Sequence, residues 1–287
     1  MSEIERVAVL GAGTMGHGIA QVSAMAGLGT VLHDPDGEAL EHGLDRIRTN
    51  LHNGVELGKI GEDAAHEALN RLQMGLDLMP SVAEADLVIE AVPESLELKH
   101  RIFTDVAVAA PPHALLATNT SSLSIDRIAD AVDDPGRVVG MHFFNPVHLM
   151  KLVEVVWGPR TTEGTRDAAV AFVGRLGKEA VVVKDAPGFA SSRLGIILGM
   201  EAIRMVEQGV ASPEDIDKAM ELGYRHPMGP LRLTDLVGLD VRLGIAEYLH
   251  ETLGSEAFRP PELLKRMVAA GKLGKKSGMG FYDWSES

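Results

Sequence analysis

The chain has no cysteine. That excludes disulfides, thiolate metal sites and cysteine nucleophiles, and it fits a cytoplasmic protein. Positive charge is also scarce: 27 Lys and Arg stand against 41 Asp and Glu, a net charge of −14. Such a surface lacks the basic face that nucleic acid requires. An anionic ligand must instead find a local basic or helix-terminal pocket. No apolar run approaches the roughly 18–20 residues that span a bilayer, so no membrane partner is expected. The N-terminal MSEIERVAVLGAG has no basic leader before its first apolar strand, so no signal peptide is expected. There is no internal repeat, no low-complexity segment and no expected metal centre.

What is present is ordinary globular material. The chain is 45% hydrophobic and 24% charged over 287 residues, which is enough core for two domains. Short β-branched runs at 6–10, 29–34, 86–92, 114–119, 137–144, 152–157 and 179–184 read as strands. Helical patterns at 14–27, 35–60, 62–72, 97–110 and 162–176 separate most of them. Strands alternating with helices imply a mostly parallel α/β sheet covered on both faces. After DAPGF (185–189) no strand pattern returns, and helices are predicted at 191–209, 212–223, 229–237, 239–253 and 261–270. The expected division is an α/β domain over 1–185 and an all-helical domain over 186–287.

In VAVLGAGTMGHGIA, Gly11, Gly13 and Gly16 follow the first strand and open the first helix with the spacing G-x-G-x-x-G. The glycines suit a tight turn, close backbone approach to a pyrophosphate, and close helix–strand packing. The helix N-terminus supplies N–H groups to the anion. Thr14 and Met15 lie within this loop and belong with the cofactor contacts. Asp34 ends the second strand, where a carboxylate accepts from a ribose 2′-hydroxyl. No Arg follows it closely and its charge repels a 2′-phosphate, so NAD is expected rather than NADP. The domain is therefore a Rossmann-type, doubly wound sheet.

AVPESLELK (91–99) leaves a strand at the same crevice. Ala91, Glu94 and Lys99 are candidate cofactor contacts; the plainer alternative is a helix-terminal Glu and a solvated Lys. TNTSSLS (118–124) offers Asn119, Ser121 and Ser122 as hydrogen-bonding groups, while Ser124 reads as a helix N-cap. GMHFFNPVHLMKLVEVV (140–156) carries His142, His148 and Glu154 in an apolar setting. Oxidising an alcohol with NAD needs a base whose pKa lies near the working pH, and His is the usual one. His142 ends a strand at the ligand-binding edge, and Glu154 lies on the next strand, which can run back beside it. A satisfied core histidine is the plainer alternative. His148, in a Pro-containing connection, reads as a mobile bystander.

The sequence resembles the L-3-hydroxyacyl-CoA dehydrogenases, especially the short bacterial 3-hydroxybutyryl-CoA type. GAGTMG (11–16), IEAVPE (89–94), TNTSS (118–122), HFFNPV (142–147), KLVEV (151–155), DAPGF (185–189), HPMGP (226–230), DLVGLD (235–240) and GKKSGMGFYDW (274–284) carry the likeness. The resemblance implies a Rossmann domain, a helical domain that forms a homodimer, and reversible NAD-linked oxidation of an L-3-hydroxyacyl-CoA to the 3-oxoacyl-CoA. It implies His142 as base, Glu154 as the carboxylate that orients it, and Ser121 as a hydrogen-bond partner of the substrate 3-oxygen. It puts Asp34 on the ribose, with Glu94, Lys99, Asn145 and a tail lysine, Lys275, on the cofactor side. The family reads PGF-x-x-N-R with an active-site Asn; here PGFASSR places Ser192 there. The family also places lysines before GKI to meet CoA phosphates, whereas HNGVELGKI offers Lys59, with Arg46 and Arg48 further back. Two other readings stand beside this one: a dehydrogenase of a free 3-hydroxy acid such as L-gulonate on the same scaffold, and a non-catalytic NAD-binding or structural relative.

Overall fold

The computed structural model describes residues 4–285. Eight strands form one sheet: β1 (Arg6–Leu10), β2 (Gly29–His33), β3 (Leu72–Gly75), β4 (Leu87–Glu90), β5 (Leu115–Thr118), β6 (Val138–Phe143), β7 (Leu152–Trp157) and β8 (Glu179–Lys184). Their order is β3-β2-β1-β4-β5-β6-β7-β8. All neighbours are parallel except β6 and β7, which pair antiparallel. The sequence of β4 and β5, LVIE and LLAT, is buried at every position, because helices cover both faces of the sheet. Strand order reverses between β1 and β4, which opens a crevice beyond their carboxyl ends.

Helices α1 (Gly16–Met25), α2 (Gly37–Glu56), α3 (Glu62–Asn70), α4 (Leu78–Val82), α5 (Leu96–Ala109), α6 (Ile125–Ala129) and α7 (Glu163–Arg175) accompany the sheet. Side chains start four of them: Asp36, Ser95, Ser124 and Thr162 each accept from a backbone N–H of the first turn of α2, α5, α6 and α7. Ser124 thus caps its helix as the sequence predicts. Two elements escape the sequence pattern. β3 is a short edge strand, LQMG, half exposed and paired only to β2, so it lacks a buried strand's apolar run. α4 has five residues and begins LMP, too short to show a helical period. The predicted strand over 86–92 also ends earlier, at Glu90, where the chain turns into the crevice.

The chain divides into two compact units that meet between Ala186 and Pro187. The second holds α8 (Ser191–Glu207), α9 (Pro213–Tyr224), α10 (Pro230–Val237), α11 (Leu239–Leu253) and α12 (Glu262–Ala269) around Ile196, Met200, Ile203, Leu231 and Leu249. Among the described residues no helix is long and apolar enough to cross a membrane.

Two buried carboxylates tie this unit's C-terminal segment down. Asp235 accepts from the backbone N–H of Phe281 and Tyr282 and from Trp284 Nε1, each at 2.9 Å. Asp217 accepts from Leu231 and Arg232 N–H, at 2.8 and 2.9 Å, and from the Tyr282 hydroxyl at 2.7 Å. A buried donor that loses its acceptor retains its desolvation cost. Asp235→Ala is therefore expected to destabilise the helical unit by about 3 kcal/mol. Denaturant unfolding followed by tryptophan fluorescence checks this; a loss within error of zero would contradict it.

Candidate active site

The crevice at the β1/β4 reversal is built by close backbone approach. Gly11 has φ +98°, and a side chain there would meet the Ala91 carbonyl oxygen at 2.8 Å. A Cβ on Gly16 would collide with the Gly11 carbonyl. Gly13 faces open space. The first and third glycines therefore serve the turn and the helix packing, and the second leaves room for a ligand. Beside them lies a cavity of about 730 Å³ lined by Gly11, Gly13, Thr14, Met15, Asp34 and Ala91, among others. Asp34 is held at its rim: Oδ2 accepts from Ala12 N–H at 2.9 Å and Oδ1 from Asp36 N–H at 3.1 Å. Open space at Gly13, a helix N-terminus and a fixed carboxylate fit a dinucleotide.

At the ends of β4 and β5 the structure shows an ionic network that the sequence reading did not contain. Glu90 and Lys99 are each only 1% exposed, and their carboxylate and ammonium lie 2.7 Å apart. Glu90 also accepts from Thr118 Oγ1 at 2.6 Å and Val92 N–H at 2.8 Å. The Lys99 ammonium reaches Glu94 at 3.3 Å. Lys99 is thus no solvated lysine; its cation neutralises carboxylates that burial would otherwise penalise. Glu94 in turn accepts from Thr120 Oγ1 at 2.5 Å, Ser122 Oγ at 3.1 Å and Ser121 N–H at 3.2 Å. Burial pushes the Glu94 carboxyl up, but Lys99, Thr120 and Ser122 outweigh it and hold it below the usual carboxylate range. Ser121 is consequently carried on a loop anchored to this network. The available signal for Glu90 was an acid at the end of an otherwise apolar strand.

His142 and Glu154 are register partners on the antiparallel strands β6 and β7. Opposed residues on such strands present their side chains to the same face. The histidine is 7% exposed, the glutamate 1%, and His142 Nδ1 lies 2.8 Å from Glu154 Oε2. The Phe144 ring is 4.4 Å from the imidazole, tilted by 47°. Asn119 Oδ1 accepts from Phe143 N–H at 2.9 Å, binding the end of β6 to the loop that carries Ser121.

Asn145 lines a second cavity, of about 630 Å³, with His17, His42, Arg46 and His148. His148 is half-buried there. Its imidazole is held below the usual histidine range, first by burial and then by His17 and Lys178. The two remaining candidates lie in the helical unit. Ser192 occupies the first turn of α8, half-buried, and the Lys275 ammonium sits 5.4 Å over the Trp284 ring. Among the described residues no group of three or more His, Asp and Glu could hold a metal ion.

Comparison with known proteins bears on this geometry. Residues 6–186 match the family model "3-hydroxyacyl-CoA dehydrogenase, NAD binding domain", and residues 188–284 match the C-terminal domain of the same family. A probable 3-hydroxybutyryl-CoA dehydrogenase of Bacillus subtilis is 47% identical over 99% of each chain. A 3-hydroxybutyryl-CoA dehydrogenase of Bradyrhizobium diazoefficiens is 43% identical over 98% of this chain and 96% of the relative. The crystal structure of the (S)-3-hydroxybutyryl-CoA dehydrogenase PaaH1 of Ralstonia eutropha superposes with a TM-score of 0.95, at 39% identity, covering 99% and 100% of the two chains.

Asp34→Ala should weaken NADH binding by about tenfold or more while leaving NADPH binding nearly unchanged, because the lost group discriminates between them. Fluorescence titration with both nucleotides checks this. Glu94 gives a pH prediction. Its folded pKa is depressed, so its stabilisation is complete above the unfolded pKa of about 4.3 and lost only as pH falls through the lower folded value. Glu94→Gln should therefore cost the same unfolding free energy at any two pH values well above that range, and less in strong acid.

Proposed function

The chain belongs to the 3-hydroxyacyl-CoA dehydrogenase family, and from that premise we propose a short-chain substrate, 3-hydroxybutyryl-CoA, with His142 as the general base. The observation that carries the proposal is the buried Nδ1 contact of His142 with Glu154. A carboxylate at Nδ1 keeps the proton on that nitrogen, which makes Nε2 the one that exchanges a proton with substrate. In the oxidising direction the Ser121 hydroxyl and His142 hold the 3-hydroxyl, and His142 takes its proton. NAD, when bound, supplies the acceptor for the hydride that leaves C3. Glu154 stabilises the imidazolium that results, without taking the proton itself. In the reducing direction the imidazolium returns the proton to the 3-oxygen.

The dinucleotide cavity, lined by Gly11, Gly13, Thr14, Met15, Asp34 and Ala91, supports a cofactor role for these residues, with Gly16 packing the helix against the turn. Glu94 and Asn119 order the loop between cofactor and substrate, with Lys99 holding Glu94 as the carboxylate. The second cavity, with Arg46 among its lining residues and Asn145 at its wall, suits the anionic end of CoA and offsets the single lysine before the segment's end. Lys275 remains a cofactor-side candidate, and Ser192 a substrate-side one. Exposed apolar side chains of the helical unit, Leu222 at 82% and Tyr224 at 76%, support a homodimer through that unit. The lack of cysteine supports a cytoplasmic setting.

A free 3-hydroxy acid is the second reading. Ser192 in place of the family's Asn favours it, because that change falls on the substrate side and not on the cofactor loop.

His142→Gln should lower kcat by about 10²–10⁴-fold while leaving the NADH dissociation constant within about twofold. Glu154→Gln should cost less than loss of the histidine. Steady-state reduction of acetoacetyl-CoA with NADH, alongside nucleotide titration, measures both. Near-normal turnover of His142→Gln would remove the histidine from its role. Reduction of a free 3-oxo acid in preference to acetoacetyl-CoA would favour the second reading.

A further inference from the structure

Three imidazoles line the second cavity, of about 630 Å³, and they come from three separate elements. His17 lies in the first turn of α1, His42 in α2, and His148 in the connection between β6 and β7. Among the described residues, the other ionisable lining groups are Arg46 and Asp45 of α2. Their permanent charges cancel, one guanidinium against one carboxylate. Arg48, outside the lining, donates to Asp45 Oδ1 at 3.0 Å. Lys178 approaches His148, but its ammonium donates to the carbonyl oxygens of Val147 and Met150, both at 2.6 Å. Whether this cavity attracts an anion therefore depends on the imidazoles.

His17 Nδ1 donates to the Gly13 carbonyl at 2.7 Å, which leaves Nε2 as the nitrogen that gains or loses a proton. Burial holds the His17 imidazole below the usual histidine range, against the Gly13 carbonyl, which raises it; Arg46 lowers it further. His148 is held down by burial and then by His17 and Lys178. The neutral ring is thus favoured near neutral pH. A phosphate reverses the balance: its charge favours imidazolium, which offers it charged N–H donors. Binding the phosphate then draws protons from solution.

We propose that His17, His42 and His148, beside Arg46, hold the phosphates of the CoA thioester and take up protons as it binds. His148 then belongs to the substrate site and is no bystander. This rests on the acyl-CoA reading above and on its assignment of this cavity to the anionic end of CoA. The sign of the pH effect sets the histidines apart from the ligand. A phosphate monoester has a second pKa of about 6, so the ligand itself loses charge in acid and would bind more weakly there. Imidazoles give the opposite: affinity rises as pH falls toward the depressed His17 and His148 values, and declines as pH rises through the higher values of the complex.

The test compares acetoacetyl-CoA with acetoacetyl-pantetheine, the same thioester without phosphates, each reduced with NADH at pH 8 and at pH 6. The ratio of their kcat/KM values cancels the contribution of His142, which both substrates share. It should favour the CoA thioester and rise about tenfold from pH 8 to pH 6. Isothermal titration with CoA at pH 7, in two buffers of different ionisation enthalpy, should show net proton uptake. His42→Gln combined with His148→Gln should remove most of both effects; the wild-type measurements decide by themselves if that double variant does not fold. A ratio that is flat or falls in acid would overturn the proposal, as would proton release. So would a rise that survives in the folded double variant, which would assign it to other groups. If the wild type reduces neither thioester, the acyl-CoA reading fails and the proposal with it; if it reduces both equally at both pH values, only the histidine site fails.

Discussion

Glu154 is a carboxylate 1% exposed inside a sheet, and such a charge survives only with a partner. Its partner is His142, directly opposite on an antiparallel strand. The reversal of β7 against a parallel sheet is what places them together. A parallel continuation would have carried Glu154 to another part of the sheet. The same region is braced from the other side, where Asn119 accepts from the backbone of Phe143. The imidazole is thereby fixed on three consecutive strands before any ligand arrives, which is the preorganisation that acid–base chemistry requires.

The second constraint is the Glu90–Lys99–Glu94 network at the strand-order reversal. One buried carboxylate, one buried ammonium and the more exposed Glu94 carboxylate lie within hydrogen-bonding reach of two threonines and the backbone. The cation is what makes the two acids tolerable there. The network connects the turn that closes the dinucleotide crevice to the loop bearing Ser121. The dinucleotide-side turn and the loop proposed to meet substrate therefore share one support, and a change at Glu90 should be felt at both.

Much of this was legible in the residues. The glycine spacing after β1, Asp34 at the end of β2, and the run-back of KLVEV against HFF each had a local signal, and the end of the strand pattern after Lys184 marked the helical part. β3 and α4 were not legible because an exposed four-residue edge and a five-residue helix carry too little periodicity. Lys99 read as a cofactor contact or a solvated lysine and Glu90 carried no reading, since burial of a paired charge is a tertiary fact with no sequence period.

The proposed chemistry of His142 depends on Glu154 holding the imidazole proton on Nδ1. The direct measurement is ¹⁵N NMR of histidine-labelled protein at neutral pH, with His142 assigned by its loss in His142→Gln. A neutral imidazole protonated at Nδ1 and bare at Nε2, shifted toward the other tautomer in Glu154→Gln, is the predicted result. An Nε2-protonated ring in the wild type, unmoved by Glu154→Gln, would contradict it.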